Sequence, residues 1–422
     1  MDPASPGAFS YADEPNPSPP TASAARDAAL PPHRRRLPRL QAENHDYAEA
    51  LQVGLTFLEV NEAGHTSPLN RLEWRGDSFL DDGEDVGHDL TGGWMDAGDH
   101  LKANNSMAPA ASNTAWAVLT FPEVYQRNGQ MPYVLNSLRF ISDYFDRCIV
   151  DGNPNDPDDF SDYSVYVNIG SQVFDPANPG TNIAPDPRVH SVWCPPEVID
   201  GYTARQTLMI DTSNPNTPEA GHMSSALAAA AVVLHRYGTA QDQELAEEYY
   251  ATAAKLSTFA RQYFAYDGTA LQPDGKKVHG IYMSYDAKVE WATSIGMWSE
   301  LWLQQLADEL DIDQGAVTHR ELADQILDDY LAAGKELWEL SASWKFRGYN
   351  HHIFMLMLQM GGLSDDERDT YEDAVLGLID RYALGTGGTV FTPGGLSRKN
   401  NHYVFLLHHV VRTCALAAMY AN

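Results

Sequence analysis

Gly92-Gly93-Trp94-Met95-Asp96-Ala97-Gly98-Asp99-His100 sets two carboxylates three residues apart, among residues small enough for a tight turn and a close approach to a ligand. An indole and an imidazole flank them. Oxygen bases beside flat apolar faces are what glycosidic hydrolysis needs: a group to activate water and a surface to hold a sugar ring. Taken alone, the same nine residues also read as a surface turn, since Asp and Gly are common turn formers.

The flanking sequence separates the two readings. Upstream stand Asn70-Arg71-Leu72-Glu73-Trp74-Arg75-Gly76-Asp77-Ser78 and Asp82-Gly83-Glu84-Asp85-Val86-Gly87-His88-Asp89-Leu90-Thr91; downstream come Asn128-Gly129-Gln130-Met131-Pro132-Tyr133 and Thr392-Pro393-Gly394-Gly395-Leu396. This series resembles glycoside hydrolase family 9, the inverting cellulases and endoglucanases, from about Asn44 to the C-terminus. The resemblance implies an all-α fold, an (α/α)6 barrel of the six-hairpin type.

Composition agrees with a large globular domain. The chain has 422 residues with 43% hydrophobic content, enough to fill a sizeable core. Its formal charge of -30 repels nucleic acid and anionic membranes but tolerates a neutral polysaccharide. No apolar run reaches membrane-spanning length. Cys148, Cys194 and Cys414 have no metal-binding spacing and read as buried thiols, with one disulfide the alternative.

Residues 1–42 are Pro-, Ala- and Ser-rich and read as a disordered tail without the apolar core of a secretory signal. Residues 43–422 read as one catalytic domain. Helical periodicity covers about 45–62, 106–121, 131–148, 219–237, 242–265, 289–310, 317–340, 350–361, 365–383 and 402–421. Two long Gly/Pro/Asp-rich segments, 63–105 and 149–217, read as irregular and functional. Ten helices against the family's twelve imply an incomplete barrel. Its apolar flank would favour a homo-oligomer.

Residue by residue, the resemblance makes Asp99 the general base that activates water and Asp96 its assistant. His190 and Trp193 match a sugar-binding segment, Trp291 and Trp344 stand near cleft-lining positions, and Trp94 flanks the aspartates as a further substrate contact. The family's general-acid Glu has no match; Glu372 is the last glutamate of the chain. Hydrolysis of β-1,4-glucosidic bonds in cellulose or a related β-glucan, with inversion, is therefore the first reading. A barrel that binds glucan with little turnover is the second. A polymeric substrate implies work outside the cell.

No resident cofactor is implied. Asp151–Asp162 carries oxygen ligands at alternate positions as calcium loops do, but Asp156 stands where glycine is required. It reads as a solvated acidic loop, with structural calcium the alternative. The pairs His351-His352 and His408-His409 read as structural, because neighbours on a helix point about 100° apart.

Overall fold

Helical periodicity becomes helix almost everywhere it occurs. The computed structural model describes residues 46–96, 99–170, 173–174, 192–200, 205–280, 289–335, 350–385, 389–391, 397–399 and 406–422. The 1–42 tail, His190 and Trp344 lie outside them. The long helices are α1 (Tyr47–Val60), α2 (Asn104–Thr120), α4 (Met131–Arg147), α6 (Thr217–Tyr237), α7 (Ala240–Gln262), α8 (Val289–Leu310), α9 (His319–Ala332), α10 (Asn350–Met360), α11 (Asp365–Leu384) and α12 (Leu406–Tyr420). Two short helices, α3 (Pro122–Arg127) and α5 (Pro196–Ile199), each begin on a proline, whose fixed φ suits the first helical turn.

Local chemistry sets the boundaries. Thr239, Thr318 and Ser364 each close a reciprocal capping box with an acidic residue three positions on, which satisfies amides that the helix leaves open. The expected 317–340 helix ends earlier, at Ala332, where Gly334 turns the chain at φ 77°. Gly385, at φ 67°, stops α11 in the same way.

Burial sorts inner from outer helices. In α6, 17 of 21 residues are buried, whereas α11 buries only Tyr371 and Val375, so α6 is an inner helix and α11 an outer one. Small residues let α6 pack closely: a Cβ on Gly221 would sit 2.8 Å from Ile295 of α8. Ser299 of α8 donates to Ser224 of α6, whose own hydroxyl donates to the Ala253 carbonyl of α7. The inner helices run parallel. Asn105 and Glu219 join the first turns of α2 and α6 at 2.7 Å, and the last turns of α2, α6, α8, α10 and α12 line one cavity through Trp116, Arg236, Glu309, Gln359 and Met419. Alternating inner and outer helices in this order are those of an (α/α)6 barrel.

The segments expected to be irregular supply five of the seven strands of an antiparallel sheet. Strands β1 (Lys102–Ala103), β2 (Ile149–Asp151), β3 (Tyr163–Ile169), β4 (Val173–Phe174), β5 (Thr207–Asp211), β6 (Ala270–Leu271) and β7 (Lys277–Gly280) follow the order β1-β3-β5-β6-β7-β4, with β2 also on β3. Strands β8 (Thr389–Phe391) and β9 (Ser397–Lys399) form a separate hairpin. β1 carries the chain from the aspartates into α2, so the sheet fixes where that chain enters the barrel.

The acidic loop is not simply solvated. Lys255 of α7 inserts its ammonium among Asp151 (2.7 Å), the Asn153 carbonyl (2.8 Å) and the Asp156 carbonyl (2.8 Å). A cation from the chain itself thus holds the inward-facing oxygens. Lys255→Met is expected to lower stability by about 1–3 kcal/mol, the cost of leaving such acceptors unpaired. A denaturation midpoint equal to the native one would refute this.

Ion pairs also predict an acid limb of stability. Burial alone would raise the carboxyls of Asp82, Glu197, Asp242 and Glu309, but hydrogen-bonded cations hold each below its ordinary value. A depressed folded-state value stabilises above the unfolded one and is lost as pH falls through the folded one. Asp143 has the opposite sign, raised by burial, and offsets part of the effect. The melting temperature is expected to fall steadily below about pH 4, the ordinary carboxylate range. A flat profile from pH 6 to 3 would contradict this.

All three cysteines are free thiols. Cys148 is buried, and burial pushes its thiol up to about 11; Cys414 is exposed, against the expectation of burial. Among the described residues no helix is long and apolar enough to cross a membrane.

Candidate active site

The aspartate segment is built on two glycines in the left-handed region, where other residues would be strained. Gly92 and Gly93 adopt φ 92° and 77°, and a Cβ on either would meet Arg147 at 2.7 Å or the Tyr144 ring at 2.8 Å. This approach lets residues 61–64 lie antiparallel to the segment: Ala63 N–H donates to the Gly93 carbonyl (2.9 Å) and Met95 N–H to the Asn61 carbonyl (2.7 Å). The Asp96 N–H then donates to the Leu101 carbonyl at 3.0 Å, closing the reversal that carries both aspartates.

Asp96 and Asp99 are both half-buried.

His100, directly after Asp99, holds the second half of the site. Its Nε2 lies 2.8 Å from the Cys194 carbonyl, which fixes the Trp193–Cys194 segment beside the aspartates. Trp193 is 86% exposed and offers an open indole face. The Glu197 carboxylate ties the same segment to the upstream loop, accepting from Arg75 Nε (2.7 Å) and Gly76 N–H (2.8 Å). Burial alone would raise that carboxyl, yet these two donors keep it below the usual carboxylate range. Trp74, adjacent to Arg75, is 63% exposed. Two open indoles therefore stand on loops clamped together by one carboxylate.

Two expected contacts need correction. Trp94 is 3% and Trp291 5% exposed, and both pack in the main hydrophobic core, so neither has a free face for a sugar ring. Trp94 shares the core with Met107 of α2, whose sulfur accepts from the Trp94 backbone N–H at 3.1 Å. Trp291 is carried into the core by α8, whose residues are mostly buried. Trp344 and His190 lie outside the described residues. Glu372 is half-buried on the outer helix α11. That helix begins next to the last turn of α10, at the barrel end opposite the aspartates. Among the described residues no group of three His, Cys, Asp or Glu side chains could hold a metal ion. His352, one of the paired histidines, packs edge-on against Trp116 at 5.5 Å, as a structural residue does.

The sequence profile of Glycosyl hydrolase family 9 matches residues 47–422. This chain belongs to that family. Its relatives include Endoglucanase A of Bacillus pumilus, 31% identical over 268 residues that cover 63% of this chain and 35% of that protein. The chain thus spans only about a third of that relative's length. Among solved structures, the endoglucanase of the termite Nasutitermes takasagoensis matches with a TM-score of 0.67 at 22% identity, over 90% of this chain and 73% of that one. Endoglucanase CelQ of Clostridium thermocellum, complexed with cellotriose, matches with a TM-score of 0.55 at 21% identity, over 89% and 52% of the two chains. At such identities the two structures establish the barrel and nothing finer.

Proposed function

We propose that this family 9 chain hydrolyses β-1,4-glucosidic bonds of cellulose or a related β-glucan with inversion, acting outside the cell. The observation that carries this reading is the His100–Cys194 contact, which sets the open Trp193 indole beside the segment that holds two half-buried aspartates. Names of relatives point the same way: Endoglucanase A of Bacillus pumilus, and a CelQ structure complexed with cellotriose.

Asp99 takes a proton from water as that water attacks the anomeric carbon, and Asp96 orients the water. The glycosidic bond breaks on the opposite face, and the leaving sugar oxygen takes a proton there from an acid or from solvent. Inversion follows from attack opposite the leaving group. Trp193 holds a glucosyl ring by its apolar face, and Trp74 extends the platform along the glucan. The net charge of -30 suits a neutral polymer.

Reducing-sugar release from carboxymethylcellulose, followed with proton NMR of the first product, tests the proposal. New reducing ends of α configuration from the β-linked chain are expected. A β product would overturn inversion, and no release from any β-1,4-glucan would overturn hydrolysis.

A further inference from the structure

Asp82 lies directly beneath the aspartate segment, with its carboxylate wholly buried. One oxygen accepts from Lys102 Nζ at 2.7 Å and the other from Arg205 Nε at 2.5 Å. Both cations then reach the backbone that carries Asp96 and Asp99. Lys102 Nζ donates to the carbonyls of Leu90 (2.6 Å) and Gly92 (2.9 Å), so its three N–H donors are all used. Arg205 Nη1 donates to the His100 carbonyl at 2.5 Å, and its guanidinium stacks 3.7 Å above the Phe79 ring. The Lys102 ammonium also sits 4.6 Å from the Tyr144 ring, the ring against which Gly93 is pressed.

One carboxylate therefore ties down the segment on both sides of the aspartates, through Gly92 and through His100. Burying three charges is costly, and a fold that needed only packing here could use apolar groups of similar volume. Nothing about barrel closure requires the cations to end on these particular carbonyls. Both Lys102 and Arg205 flank the segment in space and have no other acidic partner among the described residues.

We propose that Asp82, Lys102 and Arg205 are positioning residues, a buried ion cluster that holds Asp96 and Asp99 in register with the attacked carbon. This rests on the reading of Asp99 as general base. A shift of about 1 Å in a reacting group can lower a rate about a hundredfold. Substrate held by Trp193 would be affected less, because Glu197 also anchors that segment, through Arg75 and Gly76.

The test uses the full chain carrying Asp82→Asn, with Arg205→Lys as a milder variant that keeps a cation beside Asp82 but cannot also reach the His100 carbonyl. Kinetics on a soluble β-1,4-glucan well below the melting temperature are expected to show kcat lowered about a hundredfold for Asp82→Asn. A smaller loss is expected for Arg205→Lys, and KM should change by less than about threefold in both. Hydrogen exchange should quicken at the Met95 and Asp96 amides. Glu300→Gln, which disturbs a separate ion cluster between α7, α8 and α9, should reduce stability and leave kcat as it was. Native kcat in Arg205→Lys and in any folded Asp82→Asn, with native exchange at Met95 and Asp96, would overturn the proposal. If the native chain releases no sugar at all, the hydrolase reading fails by itself and exchange decides. Faster exchange confined to the aspartate segment then supports the cluster's role, and unchanged exchange refutes it.

Discussion

Asp99→Ala is expected to lower kcat on soluble β-1,4-glucan by about 10²–10⁴-fold, the usual contribution of a positioned general base, with KM nearly unchanged. The split follows from where the residue acts. Water is deprotonated only as it attacks, so the interaction is made in the transition state, while sugar binding rests on the indoles. Asp99 is half-buried on a segment fixed by the Asp96–Leu101 hydrogen bond, so removing its side chain leaves the backbone in place. Added azide, a nucleophile that needs no base, should restore turnover in the variant and give an inverted glycosyl azide. Asp96→Ala should cost less, because an orienting group can be replaced in part by solvent. Near-native activity in Asp99→Ala would remove the residue from the mechanism, whatever the chain hydrolyses.

Much of the barrel was legible because its helices are long and strongly periodic. Expected spans of 131–148, 289–310 and 365–383 meet observed helices at Met131–Arg147, Val289–Leu310 and Asp365–Leu384. Pro132 and Pro218, and the acidic residues of the capping boxes, mark where backbone amides need help, and such signals are local. The sheet was not legible for a related reason. Its strands run from two to seven residues, too short for an alternating pattern to rise above a Gly- and Asp-rich background.

Within the site, the motif singles out candidate residues, but neither their exposure nor what supports them. Asp96, Asp99 and Trp193 are candidates by their place in a pattern, and the structure shows Trp193 open while Trp94 and Trp291 are enclosed. An indole's exposure depends on what packs around it from distant sequence, and Trp94 and Trp291 both sit in the main core among residues of several helices. Buried charge is harder still to read. Lysine is scarce, eight in the chain, and that scarcity describes a surface. Two of the eight, Lys102 and Lys255, are interior cations whose partners come from other segments, as Asp82 and Asp151 do. Trp74 belongs to the same class, since the sequence showed its motif but not the Glu197 clamp that brings its loop to Trp193.

Glu300→Ala is expected to destabilise the barrel by about 3–5 kcal/mol, the cost of breaking a buried ion cluster by removing one partner. Glu300 is wholly buried on α8, where one oxygen accepts from Ser257 (2.6 Å) and Arg261 Nε (2.8 Å) of α7 and the other lies 2.6 Å from His319 Nδ1 at the start of α9. The cluster joins one inner helix to two outer ones, and Tyr250 of α7 closes it by meeting His319 Nε2 at 3.1 Å. Alanine leaves Arg261 and His319 facing a void that their own helices prevent from closing. The loss should appear as a lower guanidinium midpoint with an unchanged slope, since the unfolded chain exposes the same surface. Replacing the whole cluster by apolar residues of similar volume, Glu300→Leu with Arg261→Met and His319→Phe, should recover most of it, because the cost lies in the uncompensated charges more than in the lost attraction. A single variant within about 1 kcal/mol of native would mean that water reaches Glu300 and that the helices are held by packing alone.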